Sequence, residues 1–147
     1  MTRIMISIQP KWAEKILNLE KKAEIRKTVP KAPFPLHCFI YETGGVGVVA
    51  EFICDGVTQA KGPRIDKEFL TDTCLTVEEA RAYAGDDQVF RWRIRSLISY
   101  GQPKKLRDFG LEQPPQSWCY LKGGDLDGRP ADQSAGSFGD MPVMREA

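Results

Sequence analysis

Apolar and polar positions alternate along this chain in short blocks, each the length of one strand or two helical turns. Residues 4–8, IMISI, read as a short strand, and PKWAEKILN then places Trp12, Ile16 and Leu17 on one helical face, with Pro10 suited to the first turn. After a charged turn, AEIRKT predicts a second strand with Ala23 and Ile25 on one face and Lys22, Glu24 and Arg26 on the other. VPKAPFP holds three prolines in seven residues and cannot continue a ladder, so it predicts an extended loop. LHCFIYE (36–42) and VGVVAEFICDGV (46–57), joined by TGG, have the spacing of a hairpin. In the second of these, Val46, Val48, Ala50, Phe52 and Cys54 are expected inward and Glu51 outward.

Thr76 with Glu79 three residues on gives TVEEARAYA (76–84) the form of a capping box and predicts a short helix. VFRWRIRSLISYG (89–101) alternates Phe90, Trp92 and Ile94 against Arg91, Arg93 and Arg95, which predicts one long strand with a basic face. QSWCYLK predicts the last strand. These elements amount to five or six short, mostly antiparallel strands with two or three flanking helices, an α+β fold built on a small curled β-barrel. Residues 1–122 form the expected domain, and the Gly/Asp/Pro-rich segment 123–147 is expected to be loosely held. There are no internal repeats.

Length and charge narrow the function. A chain of 147 residues suits a single domain. No apolar run approaches the ~18 residues that cross a bilayer, and no signal peptide is visible, so a cytoplasmic, non-membrane protein is expected. The net charge of +1 gives no general attraction for nucleic acid, but its distribution is uneven. Residues 3–31 hold Arg3, Lys11, Lys15, Lys21, Lys22, Arg26, Lys27 and Lys31 against Glu14, Glu20 and Glu24, whereas the segment from 125 onward is acidic. The four cysteines are widely spaced and His37 is the only histidine, so neither a zinc site nor another metal or cofactor is expected. Cys38 and Cys54, in apolar runs, are expected to be buried thiols. GGVG lacks the Lys-Ser/Thr and helix of a phosphate loop.

The densest chemistry lies in LNLEKKAEIRK (17–27). On residue type alone two readings stay open: Glu24 and Arg26 as a surface ion pair, or Lys21, Glu24 and Arg26 as a set that holds a ligand. In the second, Lys21 and Arg26 hold a phosphate and Glu24 accepts from an exocyclic amine such as cytosine N4. Trp12, beside Lys11, or Trp92 can stack on a base, although indoles at such spacings serve first as core. Arg91, Arg93 and Arg95 are either a phosphate-tracking stripe or a solvated strand face.

Taken in order, SIQPKWAEKILNLEKKAEIRK, the proline-containing loop, FIYET, VGVVAEFICDGV, FRWRI and PPQSWCYL resemble the ASCH domain of the PUA-like superfamily, in the compact form common in phages and prophages. The turn matches a G-x-K-x-x-E-x-R pattern at Lys21, Glu24 and Arg26, with Leu19 at the glycine position. The resemblance implies a small β-barrel with a cleft between barrel and helices that binds RNA or a nucleoside-like ligand. The ligand-binding residues are then expected among Lys11, Trp12, Lys21, Glu24, Arg26 and Trp92. Some short ASCH proteins are similar to amidohydrolases acting on N4-acetylcytidine, and others to ribonucleases. In an enzyme of that kind Lys21 and Glu24 would be the catalytic pair, although Glu24 stands where the amidohydrolase pattern has a threonine. A phage-type protein that binds a host factor is a third class of function.

Overall fold

The computed structural model describes residues 1–123, so the expected tail lies outside the described residues from position 124 onward. The chain order is β1 (Thr2–Ile8), α1 (Pro10–Leu17), β2 (Ala23–Arg26), β3 (Leu36–Glu42), β4 (Gly47–Cys54), β5 (Val57–Ala60), α2 (Val77–Ala84), β6 (Val89–Arg93), β7 (Arg95–Lys104) and β8 (Trp118–Tyr120). Among the described residues these strands make a five-stranded sheet, β7-β4-β3-β1-β8, and a three-stranded sheet, β2-β6-β5. Every pairing is antiparallel except β1 with β3, which runs parallel from Thr2↔Leu36 to Ile8↔Glu42. Parallel neighbours need a long crossover; here it consists of α1, β2 and the proline-containing loop. No helix among the described residues is long and apolar enough to cross a membrane.

Among the described residues there are eight strands rather than five or six, because two expected strands each break in two. The run 46–57 stops at Asp55–Gly56, and the run 89–101 stops at Ile94, and at each break the chain passes from one sheet to the other. The two corners are fastened together: Arg93 N donates to Gly56 O at 3.2 Å, and Asp55 lies 3.1 Å from Arg95 Nη1 and 3.8 Å from Arg93 Nε. Val46 is exposed rather than inward, because β4 begins only at Gly47 and its register against β3 shifts between Ile40 and Tyr41.

The main core gathers Ile4, Ile6 and Ile8 of β1, Leu36, Cys38 and Ile40 of β3, Phe52, Trp92, Trp118 and the apolar face of α1. A second cluster on the opposite face of the five-stranded sheet joins Met5, Phe39, Tyr41, Val48, Cys119 and Leu121 under Leu106, Phe109 and Leu111. Burial on both faces explains why β1 and β3 read as nearly unbroken apolar runs. Cys38, Cys54 and Cys119 are buried, whereas Cys74 is exposed; burial pushes the Cys38 thiol well up and those of Cys54 and Cys119 up to about 11. Helix α2 starts with the expected capping box between Thr76 and Glu79.

Helix α1 ends in a Schellman motif: Leu19 N donates to Ile16 O at 3.0 Å and Glu20 N to Lys15 O at 2.9 Å. The residue after the cap must then be left-handed, and Leu19 has φ +71° with its side chain largely in solvent. The glycine of the sequence pattern therefore has a backbone reason, and leucine meets it under strain. Leu19→Gly should raise stability by a few tenths to about 1 kcal/mol, the relief of left-handed strain less the added freedom of glycine in the unfolded chain. Urea unfolding measures this, and a variant less stable than wild type contradicts it.

Candidate functional site

The cap that closes α1 delivers Lys21 inward. Lys22 N and Ala23 N both donate to Asp72 O, at 2.7 and 3.1 Å, and fix the start of β2 against the 71–75 loop. Lys21, Glu24 and Arg26 are 1%, 2% and 2% exposed, so the polar face of β2 points into the protein. Glu24 is central. Its Oε2 accepts from Arg26 Nε at 2.9 Å and Nη2 at 2.7 Å, and its Oε1 lies 3.2 Å from Lys21 Nζ, an ion pair without hydrogen-bond alignment. Lys21 Nζ donates to Thr73 O at 2.6 Å and sits 5.0 Å from the centre of the Trp12 ring system. Arg26 spends its remaining donors on Ser7 O at 2.7 Å, Ser117 Oγ at 3.2 Å and Ser117 O at 3.5 Å.

Burial alone would push the Glu24 carboxyl up, but the charges of Lys21 and Arg26 and the hydrogen bonds from Arg26 outweigh it and hold the group below its ordinary value. Glu24 is therefore an ionised acceptor locked between two cations, and the surface ion pair considered from residue type is replaced by a buried, compensated triad. With its donors committed, Arg26 has none to offer a phosphate, and Lys21 is enclosed by Thr73, Glu24 and Trp12.

The aromatic candidates are also enclosed. Trp92 is fully buried, with its ring centre 6.2 Å from that of Trp118 in an edge-on contact and its Nε1 on Thr28 O. Trp12 is 3% exposed beneath Lys11, whose Nζ lies 4.7 Å from the ring centre. Neither indole presents a free face for stacking, because each fills a core position that its volume suits. The arginine stripe is partly compensated: Arg91 donates twice to Thr71 O and faces Asp72, while Arg93 and Arg95, both half exposed, share the single carboxylate of Asp55.

Open volume lies next to the triad. A cavity of about 450 Å³ is lined by Lys27 and Thr28, directly after Arg26, together with Lys61, Asp86, Asp87 and Gln88. Lys27 Nζ is 3.4 Å from Asp87 Oδ2. A second cavity, of about 530 Å³, lies beside α1 between Lys11, Glu14, Leu17, Asn18 and Glu42, and Lys11 approaches the same Trp12 ring as Lys21. Among the described residues no group of three or more His, Cys, Asp or Glu is arranged to hold a metal. Sequence reasoning left out Lys61 and Gln88, which stand 34 or more positions from Lys27. It also missed the carbonyls of Ser7, Thr73 and Ser117, which carry no residue-type signal.

No family model and no curated protein matches this sequence. Solved structures do match. The ASCH protein of Zymomonas mobilis superposes with a TM-score of 0.70 at 21% identity, covering 82% of this chain and 88% of that one. A Tyr-to-Phe variant of the same protein gives 0.72 at 21% identity, with 84% and 92% covered, and a Ser-to-Ala variant gives 0.71 at 21%, with 82% and 89% covered. The chain thus has the ASCH fold over most of its length.

Glu24→Gln should cost about 3–5 kcal/mol at pH 7, because it leaves two buried cations without their counter-charge. Since the folded-state value lies below the unfolded one, near 4.3, the stabilisation is complete above that pH and is lost as pH falls through the folded value. Urea midpoints should therefore fall below about pH 4 in wild type, and this part of the acid dependence should vanish in Glu24→Gln. A variant that unfolds at the wild-type midpoint at pH 7 would contradict the account.

Proposed function

From the ASCH fold and the cavity beside the triad, we propose that this protein is a binding module for RNA or a modified nucleoside. The ligand enters at Lys27, Thr28, Lys61 and Gln88, and the buried triad holds that rim in place from behind. The observation that carries this reading is the cavity of about 450 Å³, which begins at the residue following Arg26. Its volume falls within the ~300–1,000 Å³ usual for small-ligand sites. Its lining offers two ammonium groups, balanced by the carboxylates of Asp86 and Asp87, an amide that can both donate to and accept from a base edge, and a hydroxyl. Lys21, Glu24 and Arg26 then act by positioning: β2 runs straight into Lys27 and Thr28, and Thr28 is fixed again by Trp118 Nε1 on its Oγ1 at 2.9 Å.

A thermal-shift screen against nucleosides, N4-acetylcytidine among them, and short RNAs tests this. Wild type should be stabilised by at least one ligand. Lys61→Ala and Gln88→Ala, both exposed, should keep unliganded stability within about 0.5 kcal/mol and lose most of the ligand-dependent shift. An unchanged ligand mass after incubation identifies a binder, and loss of an acetyl group identifies a hydrolase. A wild type that responds to none of these ligands overturns the reading.

A further inference from the structure

Lys27, on the cavity wall, covers an aromatic ring that does not itself line the cavity. Lys27 Nζ lies 5.2 Å from the ring centre of Tyr83, a half-buried residue of α2. The Tyr83 hydroxyl feels the charges of Arg26 and Glu24 and the backbone of Lys27, and its ring reaches the open volume only through Lys27. Burial, with a smaller push from Glu24, takes the phenol up to about 12 against the pull of Arg26 and Lys27, so at neutral pH the ring is uncharged. The indole rings are already engaged or enclosed: Trp92 with Trp118, Trp118 edge-on to Tyr120, and Trp12 only 3% exposed.

We propose that the Tyr83 ring is the stacking surface for the base of a nucleotide, in the place where the Lys27 ammonium rests in this structure. The proposal depends on the cavity being a nucleotide site, as argued above, and it narrows the ligand to one bearing both a base and a phosphate. An ammonium is drawn to the negative face of a ring, and a planar base stacks on the same face while excluding more water. Once displaced, Lys27 keeps its position at the cavity wall and turns its charge to the ligand's phosphate, which competes with Asp87 for it. Gln88 lies on the same wall and meets the base edge. The site therefore favours a nucleotide over the bare nucleoside, and a purine over a pyrimidine because the stacked area is larger.

Calorimetric titration with AMP, CMP and adenosine, on wild type, Tyr83→Phe, Tyr83→Leu and Lys27→Gln, tests these assignments. Wild type should bind AMP more tightly than CMP or adenosine. Tyr83→Phe should keep that order and stay within about threefold of wild type, because the ring is retained. Tyr83→Leu should weaken AMP about tenfold or more and level AMP with CMP. Lys27→Gln should weaken AMP while leaving adenosine nearly unchanged. As a readout that requires no variant, the Tyr83 ring resonances should move upfield on AMP addition in the wild-type spectrum. A Leu variant that keeps the wild-type affinity and ranking, or ring resonances that do not move in AMP-bound protein, would reduce Tyr83 to helix packing while leaving the binding function intact. A wild type that binds none of the three overturns this proposal, and it overturns the binding function as well if the nucleoside and RNA screen is also negative.

Discussion

A carboxylate buried between an ammonium and a guanidinium is the constraint on which the rest of this structure turns. Glu24 is stable where it is only because Lys21 and Arg26 reach it from the same strand and turn, and those cations are stable only because Thr73, Ser7 and Ser117 supply further oxygens. A buried ion that lost its partner would cost several kcal/mol. The triad therefore dictates where β1, β2, the 71–75 loop and the start of β8 must lie relative to one another. The apolar core would tolerate small adjustments of these elements, but directional bonds of 2.6–2.9 Å do not.

How much of this was legible in the sequence depended on whether the deciding interaction was local. The β3–β4 hairpin, the capped α2 and the Lys21/Glu24/Arg26 pattern were legible because a turn, a cap or a spacing within a few residues encodes each. The corners at Asp55–Gly56 and Ile94 were not, since each becomes a corner only when Asp55 meets arginines about 40 residues away. Period-2 alternation correctly separated Ala23 and Ile25 from Glu24 and Arg26, but it reads a charged face as a wet face. The compensating groups that make this one dry are partly backbone carbonyls, which no residue-type pattern reveals. For Arg91, Arg93 and Arg95 the spacing left a phosphate track and a solvated strand face open, because their contacts with Thr71, Asp72 and Asp55 lie at least 19 positions away.

The pattern of charged residues and the open volume are neighbours rather than one site. Lys21 and residues 23–26 are buried and residues 27–28 line open volume, so the stretch that looks most chemical in the sequence stands one step behind the accessible surface. The likeness to solved ASCH structures extends over more than four-fifths of the chain at 21% identity, so it is a likeness of fold. Leu19 belongs to the same picture: the left-handed turn that delivers Lys21 is kept even without the glycine that would form it most easily.

The bonds from Arg26 to Ser117 span 91 positions, and those from Lys21 to Thr73 span 52. During synthesis, Glu24 and its two cations leave the ribosome long before the groups that complete their shell, so until β8 docks they can remain ionised only in water. Completion of this shell therefore depends on long-range contacts, which slow folding where they dominate. A nascent chain halted before position 117 would hold all of the buried main core except Trp118, yet lack the Ser117 oxygens that complete the Arg26 shell.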